Sequence, residues 1–186
     1  MTMLGLIVAA GITFSTTPLY QSQAQIFVST PASTLDISAL ATGSSFSQQR
    51  VKSYAQIVNS PMTLKPVIDR LNLNMTSQEL ASMITASAPL DTVLISLTVT
   101  DTDPQRAADI ANAVSDQFGI TVGDLELKGL GVDSPVKVST VKGAIPATSP
   151  SSPKKAINLA LGLLLGFGLG IGIASLRKLL DNLSLI

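Results

Sequence analysis

An uncharged run near the C-terminal end constrains the rest of the chain. Residues Ala156 to Leu176, AINLALGLLLGFGLGIGIASL, cover about 21 positions, enough for one helix to cross a bilayer. The core helix of a soluble protein keeps a polar stripe, whereas this run is apolar all round. Lys154 and Lys155 bound it on one side and Arg177 and Lys178 on the other. The preceding AIPATSPSSP reads as a stiff polar stalk, because Pro146, Pro150 and Pro153 remove backbone donors and favour extended geometry. A chain built this way is expected to be tethered to a membrane.

The beginning of the chain, MTMLGLIVAAGITFSTTPLYQ, carries a second apolar run from Met3 to Phe14. Its strongly apolar part is about 12 residues, and roughly 17 with the following Ser and Thr positions, the low end of a span. A signal peptide is one reading. The run lacks a basic flank and a clear small-x-small cleavage site, so a short or incomplete membrane helix is favoured.

Composition removes whole classes of chemistry. The 186 residues leave room for one modest domain plus membrane segments. Net charge is zero, so a nucleic-acid partner is not expected. There is no cysteine and no histidine. That excludes disulfides, thiolate nucleophiles, cysteine or histidine metal sites and the usual neutral-pH base. Only carboxylate, Lys, Ser/Thr or Tyr chemistry is left.

Between the apolar runs the pattern predicts a small α+β domain. Tyr20 to Ser29 reads as a strand. Pro31 to Gly43 reads as a loop, and Phe46 to Asn59 as a helix. Ser60-Pro61 ends that helix and starts another, whose face is Leu64, Val67, Ile68 and Leu71. Thr76-x-x-Glu79 is a capping box opening a third helix to about Ile84. Leu94 to Thr100 is a strand with Ile95, Leu97 and Val99 on one face. Asp103-Pro104 starts a helix that carries Ala107, Ala108, Ile110, Ala111, Val114 and Phe118 to about Leu125. Lys128 to Pro135 reads as a turn region and Val136 to Lys142 as the last strand. The expected order is β-α-α-α-β-α-β, a sheet covered by helices on one face. Short connections at both ends should place the first and last strands near the same membrane face.

These segments together resemble the polysaccharide co-polymerases, the Wzz-type chain-length determinant proteins of bacterial surface polysaccharide assembly. The resemblance lies in YQSQAQIFVST, SYAQIVNSP, VIDRLNLNMTSQEL, LISLTVTDTDPQRAADIANAVSDQF and AIPATSPSSPKKAINLALGLLLGFGLGIG, in that order. It implies two membrane helices, an extracytoplasmic domain between them and both termini in the cytoplasm. It also implies a ring-like homo-oligomer that sets polysaccharide length and works with a polymerase, the growing polysaccharide and membrane lipid. Many members carry or partner a cytoplasmic tyrosine kinase. This chain has no G-x-x-x-x-G-K-[ST] loop, so it is expected to be a membrane subunit without the kinase domain, whole or truncated. The long helical extension of some members does not fit the space between the two runs, so a base-domain-only version is expected.

The expected layout is a first membrane helix over 1–18, a domain over 19–143, a proline-rich stalk over 144–155, a second membrane helix over 156–176 and a cytoplasmic tail over 177–186. Gly162, Gly166 and Gly170, with Gly168 and Gly172 as a second pair, repeat every four residues. Small residues at that spacing let membrane helices approach closely, here against the first helix or a neighbouring subunit. They fail the dinucleotide-binding spacing. Asp101-Thr102-Asp103 could suggest a metal or nucleotide-sugar site. The calcium-loop pattern fails at Arg106 and Asn112, so a helix cap at Asp103 is expected instead. Ser139-x-x-Lys142 and Ser151-x-x-Lys154 match S-x-x-K without its companion motifs. No catalytic residue, metal ligand or cofactor is assigned. The expected role is a non-enzymatic membrane scaffold. The alternatives are a membrane activator of a separate tyrosine kinase and, in another class, a membrane-tethered hydrolase using Asp101 and Asp103. The flanking charges balance, so orientation rests on the resemblance.

Overall fold

The computed structural model describes residues 2–29, 51–90, 92–130 and 137–183. The chain divides into a helical unit, Met1–Leu19 with Pro150–Ile186, and a sheet unit, Tyr20–Ser149. The sheet unit contains β1 (Tyr20–Ser29), α2 (51–58), α3 (Pro61–Leu71), α4 (Ser77–Met83), β2 (Ile84–Ser87), β3 (Leu94–Asp101), α5 (Pro104–Leu130) and β4 (Lys137–Lys142). The sheet order is β2-β3-β1-β4, and every neighbouring pair is antiparallel. The described part of the unit is an α+β layer.

Strand alternation divides the sheet into two faces. Ala24, Ile26 and Val28 of β1 and Ile95, Leu97 and Val99 of β3 point inward and are buried. Helix α5 lies against β1, β3 and β4 and presents Ala107, Ile110, Ala111, Val114 and Phe118 to that face. The alanines let the helix sit close, and Phe118 fills the space this leaves further along. Helix α3 packs on α5 through Leu64 and Val67.

Local signals set the helix ends. Ser60 and Pro61 open α3, and Asn72 closes it in the left-handed conformation at φ 49°. Thr76 and Glu79 form the reciprocal capping box of α4. The Glu79 carboxyl is held below its usual range, chiefly by the Thr76 backbone N–H and also by its hydroxyl.

Two elements differ from the sequence expectation. Helix α4 ends at Met83, and Ile84 to Ser87 forms an additional strand paired with β3, so the order becomes β-α-α-α-β-β-α-β. Four residues are too few for periodicity to separate a strand from a helix end. Pairing with Ser96 to Val99 decides it. Helix α5 continues to Leu130, past Leu125 and into the expected turn region, because Gly123 is tolerated inside a helix held by tertiary packing. Residues 30–50, with the loop and the start of the first expected helix, lie outside the described residues, as do 131–136 with Val136.

The pairing of β1 with β4 brings both ends of the sheet unit to one edge of the sheet. Gln25 opposes Lys142 and Ser29 opposes Lys137. The start of β1 therefore runs alongside the chain that follows β4. Two side chains hold that exit. Asn112 donates to the Ala144 carbonyl at 3.0 Å and accepts from the Ala144 N–H at 2.8 Å. Ser22 donates to the Ile145 carbonyl at 3.0 Å.

The helical unit contains α1 (Thr2–Ser15) and α6 (Lys155–Leu183), packed together. Among the described residues one helix, Lys155–Ser175, is long and apolar enough to cross a membrane by length and composition; the apolar part of α1, Gly5–Ser15, is shorter. The expectation of two spanning helices therefore has structural support for one. Arg177 and Lys178 bound the apolar run but do not end the helix, which continues through most of the expected tail.

Asn112→Ala strips both partners from the backbone of buried Ala144. It is expected to lower stability by about 1–3 kcal/mol. Urea unfolding would read the loss, and amide exchange at Ala144 should accelerate. Unchanged exchange there would contradict the clamp.

Candidate functional site

The glycines of α6 separate into two groups. Gly5, Ala9 and Thr13 repeat every four residues on α1, and Asn158, Gly162 and Gly166 do so on α6. These ridges meet in antiparallel order. A Cβ at Gly5 would lie 2.6 Å from the Gly162 carbonyl oxygen and 2.9 Å from the Gly166 Cα. One at Gly162 would collide with the Ala9 Cβ. The Asn158 amide donates to the Thr13 hydroxyl at 3.3 Å, and Thr13 is 2% exposed. Close backbone approach and one polar pair are how helices associate where solvent gives no hydrophobic drive. Gly168 and Gly172 face open space, and Gly170 is half-buried. Two residues is about 200° of helix, so Gly168 lies on the side opposite Gly166.

A shallow apolar groove of about 710 Å³ runs along the two helices, lined by Val8, Ile12, Leu161, Leu165 and Leu169 among others. At the end bearing Asn158, the Lys155 ammonium sits 5.4 Å from the centre of the Phe14 ring.

Beyond α1 the two legs of the chain are joined by backbone pairing. Leu19 and Ser152 form an isolated antiparallel bridge. The Leu19 N–H donates to the Ser152 carbonyl at 2.9 Å, and the Ser151 N–H donates to the Leu19 carbonyl at 2.8 Å. The Ser151 hydroxyl also donates to Leu19, at 3.0 Å. Of the three stalk prolines, Pro146 follows the clamped Ala144–Ile145 pair in the sheet unit, whereas Pro150 and Pro153 flank this bridge in the helical unit.

The two carboxylates considered for chemistry are engaged in local structure. Asp101 is 3% exposed and receives Arg106 Nε at 2.7 Å and Nη2 at 2.6 Å, a two-pronged pair. It also accepts from the Asp103 N–H at 3.0 Å and the Thr102 hydroxyl at 3.2 Å. Burial raises the Asp101 carboxyl, but Arg106, the Asp103 N–H and the Thr102 hydroxyl together outweigh it and hold the group below its ordinary range. Asp103 accepts from the N–H groups of Gln105 at 2.8 Å and Arg106 at 3.3 Å, the expected helix cap. Among the described residues no three His, Cys, Asp or Glu side chains are grouped to hold a metal.

The model of the chain length determinant protein family, Wzz, matches residues 1–71, which takes in α1, β1, α2 and α3. The chain is 30% identical over 172 residues to the probable capsular polysaccharide biosynthesis protein YwqC of Bacillus subtilis, covering 91% of this chain and 66% of that one. It is 34% identical over 103 residues to the capsular polysaccharide biosynthesis protein CpsC of Streptococcus pneumoniae, covering 55% and 42%. It is 28% identical over 160 residues to CapA of Staphylococcus aureus, covering 86% and 68%. This chain belongs to the chain-length determinant family. It spans less than two thirds of the length of the Bacillus and pneumococcal relatives.

Some contacts in this family member carry a signal in the sequence itself. Gly5-x-x-x-Ala9 is the partner ridge for Gly162 and Gly166 and carries the same spacing signal. Arg106 sits in the first turn of α5, where the helix dipole disfavours a cation, so its presence there signals a specific acid partner. The Leu19–Ser152 bridge has no pattern of its own, since isolated backbone pairing leaves no side-chain signature.

The Asp101–Arg106 pair carries a pH dependence of defined sign. The carboxyl is depressed in the fold, so its stabilisation is present above its unfolded pKa of about 3.9 and is lost as pH falls through the folded value. Arg106→Gln removes the pair. It is expected to cost about 1–3 kcal/mol at neutral pH and to move acid unfolding to higher pH. An acid midpoint that stays put would refute the assignment. For the helix pair, Gly162→Leu should weaken α1–α6 packing by roughly 1–2 kcal/mol in SDS titration of the reconstituted protein. Gly168→Leu, with open space around it, should change that packing by less than about 0.5 kcal/mol. Equal effects would contradict the division of the glycines.

Proposed function

We propose that this chain is a membrane-anchored, non-enzymatic scaffold that takes part in setting the length of a bacterial surface polysaccharide, a capsule foremost. The observation that carries this reading is membership of the chain-length determinant family, joined to relatives named for capsular polysaccharide biosynthesis. The engagement of Asp101 and Asp103 in an ion pair and a cap favours it over a hydrolase.

In this reading α1 and α6 both span the membrane as a pair, the domain over 19–143 lies outside the cytoplasm, and both chain ends lie inside. The segment 144–155 couples the two. The chain acts as a homo-oligomer beside a polysaccharide polymerase. The open Gly168–Gly172 side of α6 and the apolar groove support a neighbouring copy's helix packing there.

Deleting the protein is expected to change the length distribution of the surface polysaccharide while its sugar linkages stay intact, seen by gel profile and linkage analysis. An unchanged distribution would sink the reading. The chain contains no cysteine, which makes its orientation directly measurable. A cysteine replacing exposed Gln78 should react with a membrane-impermeant thiol reagent in intact cells, and one replacing Asn182 only after lysis. The reverse pattern would place the domain on the wrong side for this role.

A further inference from the structure

The sheet has a second face that no described helix covers. Helix α5 occupies the inner side; on the outward side Gln21 and Gln23 are exposed, and Gln25, Ser96, Thr98 and Thr100 are half-buried. In register, Gln21 opposes Thr100, Gln23 opposes Thr98 and Gln25 opposes Ser96. Alternation puts all six on the same side. Not one is charged. The solvated face of an antiparallel sheet is polar, and charges such as lysine guard its edges. Here most acids and bases of the described sheet unit stand on the helices, as with Lys52, Lys65, Asp69, Glu79 and Asp116. On the outer face the charges stand on the edge strand β4, where Lys142 opposes Gln25 and Lys137 opposes Ser29.

The centre of the surface is therefore an array of carboxamides and hydroxyls, each able to donate and accept. The Gln21 amide donates to the Thr100 hydroxyl at 3.3 Å, so side chains of the array reach one another across strands. Phe27 continues the β1 row on the same face opposite Leu94, and both are half-buried, so an apolar pair borders the polar groups. Each class of partner demands a different surface. A nucleic acid or an anionic lipid requires clustered cations. A membrane interior or a docking helix requires a continuous apolar patch. A polyhydroxylated chain requires neutral donors and acceptors in rows, with an occasional ring for its C–H faces.

We infer that this open face, centred on Gln23 and Thr98, is a carbohydrate-binding surface that holds a segment of neutral glycan chain along the strands. The inference rests on the polysaccharide role proposed above and deepens it by naming where the polymer touches the protein. Binding along such a strand surface is weak, on the order of millimolar, and grows with the number of sugar units that lie down together.

The test uses the full chain in lipid nanodiscs with threonine methyl groups labelled for NMR. Dextran is titrated as the neutral polymer, hyaluronan as the anionic comparator and polyethylene glycol as a control without sugar hydroxyls. Dextran should shift the methyl signals of Thr98 and Thr100 and leave that of Thr63, buried on the far side of the core, unmoved. Gln23→Ala with Thr98→Ala should weaken dextran binding about tenfold, read from Thr100. A thermal melt confirms the fold, and Gln23→Glu serves as an isosteric second variant. No dextran effect at millimolar concentration, equal shifts with polyethylene glycol, or shifts with hyaluronan alone would each overturn the inference. So would a double variant that binds as well as the parent. Cellular chain length is a separate readout. Dextran binding with an unchanged length distribution on deletion would keep this surface and reject the proposed role. The opposite pair of results would keep the role and reject the surface.

Discussion

The antiparallel pairing of β1 with β4 is the contact on which the chain's layout depends. It sets the first and last strands of the sheet side by side with their outer ends together. Asn112 and Ser22 then hold Ala144 and Ile145 against the same edge. In the helical unit Leu19 and Ser152 pair directly, and Gly5, Ala9, Gly162 and Gly166 let α1 and α6 approach backbone to backbone. The chain is thus closed twice between the ends of its helices. A closed loop of this kind loses little further entropy when either closure forms, because the other has already drawn the ends together. The stalk foreseen as a stiff spacer over 144–155 is consequently tethered near both ends, which leaves only Pro146 to Pro150 between the tethers.

Much of this was legible before any coordinates. Strands β1 and β3 follow the two-residue alternation, and Ile95, Leu97 and Val99 point inward as that pattern requires. The caps at Ser60-Pro61, Thr76/Glu79 and Asp103-Pro104 are short-range chemistry, and short-range chemistry is what a sequence displays. What was not legible depends on partners distant in sequence. Strand β2 exists because Ile84 to Ser87 finds β3, and α5 outruns Leu125 because the fold supports it. The five glycines of α6 read as two four-residue series, but only the position of α1 reveals that Gly162 and Gly166 face inward within the chain and Gly168 and Gly172 do not. Arg106 shows the limit most clearly. Its first-turn position hints at a partner, yet Asp101, buried at the end of β3, is identified only by geometry.

The same features bear on function. Polar side chains in the sheet unit serve to fix backbone: Asn112 a strand exit, Asp103 a helix start, Thr76 another. The buried carboxylate Asp101 is neutralised by a guanidinium. A site tuned for acid–base work would hold such a group near the working pH, whereas this arrangement drives it away from that range. The proposed scaffold role asks for something else, a domain whose two membrane connections cannot drift apart.

Closure of the two legs at Leu19 and Ser152 is the most direct point of test. Residues opposed in a hydrogen-bonded antiparallel pair sit about 5.5 Å apart at Cα, within disulfide range. The chain has no native cysteine to interfere. Leu19→Cys combined with Ser152→Cys should oxidise in membranes to an intramolecular disulfide, visible as a faster-migrating monomer that reverts on reduction. Failure to cross-link, or cross-linking only between chains, would contradict closure of the legs and with it the account of how this protein is built.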